Sequence, residues 1–139
     1  KWYKISTFNY MRLLFIIPIL FLIADRITKS IFQFRSSNNP GLFHFPVNQK
    51  VLILLSIILI IFLLFLFIKS VQKKSLLFSL SLLAIILGGL SNLFDRIAFG
   101  YVIDWINLAV FPFSVFNIAD ISIVTGVFLI AVLSLPRRK

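Results

Sequence analysis

The stretch VLILLSIILIIFLLFLFI, Val51–Ile68, decides the fold class. Ser56 is its one polar interruption. An apolar run of about 18 residues, rising ~1.5 Å per residue, crosses most of a ~30 Å hydrocarbon core. The rest of the chain agrees with it. Hydrophobic residues make up 60% of the 139 residues and charged residues 13%, about half the ~25% of a soluble domain. Mean hydropathy is +1.08.

Working outward from Val51–Ile68, three further spans follow: 13–34, 75–94 and 116–135. The expected fold is therefore an all-α integral membrane protein with four transmembrane helices in a single domain, 1–139. Basic residues set its orientation. Lys1, Lys4 and Arg12 precede span one, Lys69, Lys73 and Lys74 lie between spans two and three, and Arg137, Arg138 and Lys139 end the chain. The intervening loops hold fewer, so the positive-inside rule predicts both termini in the cytoplasm. Asp25 and Arg26 stand where a cleavable leader would carry small residues, so span one reads as an uncleaved anchor. The net charge of +10 reads as a collar for anionic phospholipid headgroups. A nucleic-acid partner is not expected, since no basic stripe interleaves with aromatics in a soluble segment.

Four acidic residues, all Asp, are left to explain. This topology puts Asp25, Asp95, Asp104 and Asp120 in one layer at the outer membrane boundary. Ionisable groups at that depth are costly and point to function unless a local partner accounts for them. Asp25 has Lys29 at i+4, the spacing of a helix ion pair, and reads as structural. Asp95 has Arg96 beside it and Asn92 one turn before, and reads equally as a brace or as part of a site. Asp104 and Asp120 have no basic residue within seven positions.

Two such carboxylates brought together share a proton, because like charges a few ångströms apart cannot both ionise. One member then activates water and the other polarises a carbonyl and protonates a leaving nitrogen. That chemistry is peptide hydrolysis. No cofactor or metal is expected: the chain has no Cys and no Glu, and one His, His44, which reads as packing or an interfacial residue. Phe111–Phe116 reads equally as a wall that excludes water and as an interfacial anchor. A proton- or cation-coupled transporter is an alternative, but a relay would spread its acids across the bilayer. A non-catalytic assembly protein is another, and it predicts tolerance of Asp104→Asn.

The motifs DRITK (25–29), NPG (39–41), SNLFDRIAFGYVIDWI (91–106) and FNIAD (116–120) together resemble those of lipoprotein signal peptidase, signal peptidase II. Each is weak alone; the ordered set is specific and covers residues 25–126. The resemblance implies an aspartyl endopeptidase of the bacterial cytoplasmic (inner) membrane. It implies that the site faces the periplasm and that a small outer loop or β cradle holds the substrate. It also implies a diacylglyceryl-modified prolipoprotein as substrate, and a monomer is expected. By the same resemblance Asp104 and Asp120 are the catalytic pair. Asn39, Gly41, Asn92, Asp95, Arg96 and Asn117 bind substrate or brace the site, and Asp25 and Lys29 are structural. Gly88, Gly89, Gly100 and Gly126 match family glycines. Leu42, Phe43 and His44 are bulkier than the family pattern, and the connection from Lys29 to Asn39 is short.

Overall fold

The computed structural model describes residues 7–35, 37–39, 41–42, 45–46, 48–108 and 115–135. Lys1, Lys4, Phe43, His44, residues 111–114 and the basic residues 137–139 lie outside them. The described chain forms four helices and six short strands: α1 (Thr7–Phe32), β1 (Ser37–Asn39), β2 (Gly41–Leu42), β3 (Phe45–Pro46), α2 (Gln49–Gln72), α3 (Leu76–Phe99), β4 (Val102–Asp104), β5 (Ile106–Asn107), β6 (Val115–Phe116) and α4 (Ile118–Ser134).

All four expected helices are present, with shifted ends. The first begins at Thr7 rather than 13, and the second and third each run several residues beyond the apolar stretch that announced them. Lys69, Asp95 and Arg96, read as flanking positions, are therefore helical. Among the described residues, α2 and α3 are long and apolar enough to cross a bilayer by length and composition, while α4 is a shorter apolar helix. α4 has 17 residues, fewer than its apolar stretch 116–135 suggested.

The centre of the bundle is α3, which packs against the other three helices. It buries Leu82, Leu83, Ile85, Ile86 and Leu93, whereas α2 buries only Leu52, Ile60 and Ser70. Leucine, isoleucine and phenylalanine crowd the exposed outer surface, the inverse of a soluble bundle. In lipid, helices gain little from burying apolar area and associate through close packing of small residues and hydrogen bonds. The interface between α3 and α4 shows both. A methyl group added at Gly88 would sit 2.7 Å from the Ala119 carbonyl oxygen, and one at Gly126 would sit 2.7 Å from that of Ser81. The Ser122 hydroxyl donates to the Ala84 carbonyl at 3.1 Å. Between α2 and α3, the hydroxyls of Ser70 and Ser79 are hydrogen-bonded.

The strands form a small open β element rather than a barrel. Three antiparallel pairs are made: β1 with β4, β2 with β3, and β5 with β6. The β1–β4 register sets Ser37 opposite Asp104 and Asn39 opposite Val102. The turn after α3 is taken by Gly100 in the left-handed region, φ 79°, and sends β4 back across the end of the bundle.

Candidate active site

Helical spacing gathers the first charges. Asp25 and Lys29 lie one turn apart on α1, and the Lys29 ammonium reaches Asp25 Oδ2 at 3.0 Å. It also reaches Asp95 Oδ2 on α3 at 2.8 Å. Lys29 and Asp95 are fully buried and Asp25 is 1% exposed. Removing one partner from such a cluster would leave an uncompensated buried charge, and that holds the three together. The i,i+4 pair expected from the sequence is thus one edge of an ion cluster joining two helices.

Neighbours complete the cluster. Asp25 accepts from the Ser91 hydroxyl at 2.5 Å and, through Oδ1, from the Ala119 backbone N–H at 2.8 Å. Asp95 accepts from Arg26 at 2.5 Å and from the Ile103 backbone N–H at 3.4 Å. One carboxylate therefore pins the start of α4 to α1, and the other pins β4 to α3. The Arg26 guanidinium also lies 4.8 Å from the centroid of the Phe94 ring, within cation–π range.

The second half of the site is built on Asn117. It is the N-cap of α4, where its side chain accepts from Asp120 N–H at 2.9 Å while Asp120 Oδ2 accepts from Asn117 N–H at 3.1 Å. This reciprocal capping box satisfies two of the donors that a helix start leaves unpaired. The Asn117 amide nitrogen then donates to Asp104 Oδ1 at 2.7 Å, so one buried residue bridges Asp104 and Asp120. Asn92 completes the bridge. Its oxygen accepts from Lys29 at 2.8 Å and from Asn117 Nδ2 at 3.1 Å, which turns its own Nδ2 toward Asp120 Oδ1 at 2.8 Å.

Asp104 is 2% exposed; Asp120 is half-buried. Arg96 supplies a further cation, its charge interacting with Asp120, Asp104 and Asp95. Its Nε is buried without a hydrogen-bond partner among the described residues, as is the Trp105 indole nitrogen. Trp105 stacks on Phe32, ring centroids 4.5 Å apart and planes 13° from parallel, and its backbone N–H donates to Phe116. The residue after Asp104 is thereby fixed between the end of α1 and the start of α4.

The sequence-predicted residues thus fall into three groups. Asp104, Asp120, Asn92 and Asn117 share one hydrogen-bonded network, joined through Lys29 to Asp25 and Asp95. Arg96 borders the network. Asn39 lies in β1, opposite Val102 of β4, and its side chain is outside the described atoms; Gly41 lies in β2, which pairs with β3 rather than β4, so strand pairing does not bring it to the site. Sequence reading missed Ser91, Trp105 and the reach of Arg26 to Asp95. It also missed the capping box, whose signal, Asn followed by an acid three residues on, is present in FNIAD.

Fold and site together define a helical, multi-pass membrane protein with paired, amide-bridged carboxylates at one end of its bundle. A family model described as signal peptidase (SPase) II matches residues 1–136. Lipoprotein signal peptidases are similar to it: that of Caldicellulosiruptor bescii is 45% identical over 88 residues, covering 63% of this chain and 55% of the relative. That of Streptococcus thermophilus is 39% identical over 94 residues, covering 67% and 61%. That of Bartonella henselae is 40% identical over 116 residues, covering 79% and 71%. A bacterial membrane enzyme solved by the in meso method at 1.9 Å superposes with a TM-score of 0.76 at 24% identity, covering 96% of both chains; it shares the fold. The chain belongs to the signal peptidase II family. It spans between half and two thirds of the length of the first two relatives.

Proposed function

We propose that this chain is an aspartyl endopeptidase that cleaves signal peptides from diacylglyceryl-modified prolipoproteins. The observation that carries the reading is the Asn117 bridge, which holds Asp104 and Asp120 on either side of one amide at the bundle end. One carboxylate, ionised, takes a proton from water as the water oxygen attacks the scissile carbonyl carbon. The other, protonated, donates to the carbonyl oxygen, and a proton passes to the departing nitrogen as the C–N bond breaks. Each proton belongs to the pair rather than to one residue.

The remaining residues take supporting roles. Arg96, with an unsatisfied N–H beside the carboxylates, donates to a substrate backbone carbonyl. Asn39 and Gly41 on the β element flank the incoming peptide, and Asp25 and Lys29 hold the scaffold. Four spans, cytoplasmic termini and a site at the periplasmic face of the inner membrane suit a lipid-anchored substrate. Its diacylglyceryl group stays in the bilayer at ~0.8 kcal/mol per buried methylene, so the scissile bond arrives at headgroup depth. The enzyme acts as a monomer.

The test is cleavage of a diacylglyceryl-modified prolipoprotein and its unmodified form in nanodiscs. Wild type should cut before the modified cysteine, with or without EDTA. Asp104→Asn and Asp120→Asn should insert and fold yet lose activity at least ~1,000-fold, the loss of general acid–base catalysis that contributes ~100- to 10,000-fold. Undiminished cleavage by both variants would sink the pair.

A further inference from the structure

A cavity of about 160 Å³ lies between α1, α3 and α4, and none of the four aspartates lines it. Pro18 and Phe21 of α1, Leu77 and Ala84 of α3, and Gly126 and Leu129 of α4 form its walls. Its origin is legible in those residues. Proline inside a helix removes a backbone hydrogen bond and favours a bend, and Ala84 leaves space where a larger side chain would close it. Ile17, Phe21, Leu77 and Leu129 among its walls are exposed, so the cavity opens on the outer face of the bundle, where a bilayer lipid can enter it. A separate small pocket of about 10 Å³ shares Phe21 and Ser122 with it and is lined also by Ser91 and Asp25. Along α3 the cavity runs from Leu77 to Ala84, roughly 10 Å at ~1.5 Å per residue, about a third of a ~30 Å hydrocarbon core.

The charge around the cavity identifies the occupant. Leu77 lies in the first turn of α3, and the turn immediately before it carries Lys73 and Lys74, both exposed. The positive end of the α3 dipole adds potential of the same sign, and the first turn of α3 holds no acidic residue. Cations at the end remote from the aspartates match a phosphate headgroup there. A lipid chain attached to a peptide at Asp104 and Asp120 would have its glycerol at the opposite end.

We propose that this cavity binds one acyl chain of an anionic membrane phospholipid, with its headgroup at Lys73 and Lys74. The lipid fills the gap that α1 leaves beside α4 and ties the bundle together at the end opposite the site. The proposal is independent of the reading of the aspartates.

Native mass spectrometry of the purified chain tests it, with phosphatidylglycerol and phosphatidylcholine of matched chains as probes. Wild type should retain one phosphatidylglycerol, bound at least ten-fold more tightly than phosphatidylcholine. Thr125 of α4 also lines the cavity; Thr125→Phe and Ala84→Leu, which fill it from two helices, should each weaken that binding at least ten-fold while circular dichroism shows folded protein. Lys73→Gln with Lys74→Gln, which leaves the cavity intact, should reduce the preference between the two lipids to less than two-fold. Equal binding of phosphatidylglycerol by wild type and both filling variants would overturn the proposal, as would equal binding of the two lipids by wild type. Displacement of the bound phospholipid by a diacylglyceryl-modified peptide, in simple competition, would assign the cavity to the substrate and overturn it too.

Discussion

Asn92 on α3 and Asp120 on α4 meet through a single hydrogen bond of 2.8 Å, amide nitrogen to carboxylate oxygen, across 28 residues of sequence. The amide cannot turn over without losing partners. Its oxygen accepts from the Lys29 ammonium and from Asn117, so reversal would set an N–H against two donors and an oxygen against a carboxylate. A buried cation on one side of Asn92 thus dictates that Asp120 meets a donor on the other.

Replacing Asn92 tests that polarity. Asn92→Ala removes one donor to Asp120 and leaves Lys29 short of an acceptor. A lost hydrogen bond to a charged group costs ~1.5–3 kcal/mol, so kcat/KM for prolipoprotein cleavage should fall roughly 10- to 150-fold at 1.36 kcal/mol per decade. Asn92→Asp, which sets a second carboxylate against Asp120, should cost more than Asn92→Ala. An aspartate variant as active as wild type would show that the donor is dispensable.

Asn117 has two jobs that separate by substitution. Its side-chain oxygen caps α4 and its amide nitrogen holds Asp104. Serine caps about as well as asparagine but lacks that amide. Both Asn117→Ser and Asn117→Ala lose the buried bond to Asp104 and the stability it gives, but Asn117→Ser should be more stable than Asn117→Ala by roughly 1 kcal/mol, the worth of the cap. Both should lose most cleavage activity. Thermal unfolding in detergent beside the cleavage assay decides it, and an active Asn117→Ser protein would reduce the residue to a helix cap.

Lys29 carries the largest predicted effect on stability. Lys29→Met leaves Asp25 and Asp95 buried with one shared cation gone, a change of order 3–5 kcal/mol when a buried pair is broken. Arg26 still contacts Asp95, so the damage should fall mainly on Asp25. Adding Asp25→Asn to Lys29→Met should therefore recover part of the loss. Chemical or thermal unfolding of the two variants measures this; a double variant less stable than the single one would contradict the cluster as described.

The glycines of α3 give a contrast within one helix. Gly88→Ala drives a methyl to 2.7 Å from a backbone oxygen, but the nearest atom to a methyl at Gly89 is 3.7 Å away. Overpacking costs ~1–3 kcal/mol, so Gly88→Ala should destabilise by about that much and Gly89→Ala by less than about 0.5 kcal/mol. Comparable unfolding temperatures for the two would mean that α3 and α4 are free to separate.

The sequence disclosed the helices and singled out Asp104 and Asp120, because apolar runs and missing counter-ions are local properties. It disclosed Asp25 with Lys29 for the same reason. What stayed hidden was long-range. Ser91 to Asp25, Arg26 to Asp95 and Ala119 to Asp25 bridge 66, 69 and 94 residues, and no spacing rule reaches that far. Arg26 shows the difficulty: it is adjacent to Asp25 in sequence, yet on a helix consecutive residues point about 100° apart, and it reaches Asp95 instead. Helix ends were blurred because Lys69, Asp95 and Arg96 interrupt the apolar pattern without ending the backbone hydrogen bonding.

The bond from the Ala119 N–H to Asp25 has a consequence for how the molecule is made. Residue 25 leaves the ribosome long before residue 119, so during synthesis the Asp25 carboxylate has no α4 to hold. Asn117 and Asp120, which complete the hydrogen bonds to Asp104 and Asn92, arrive with the same late segment. A half-inserted chain therefore contains no assembled carboxylate pair, and the nascent protein stays chemically silent until its last helix docks.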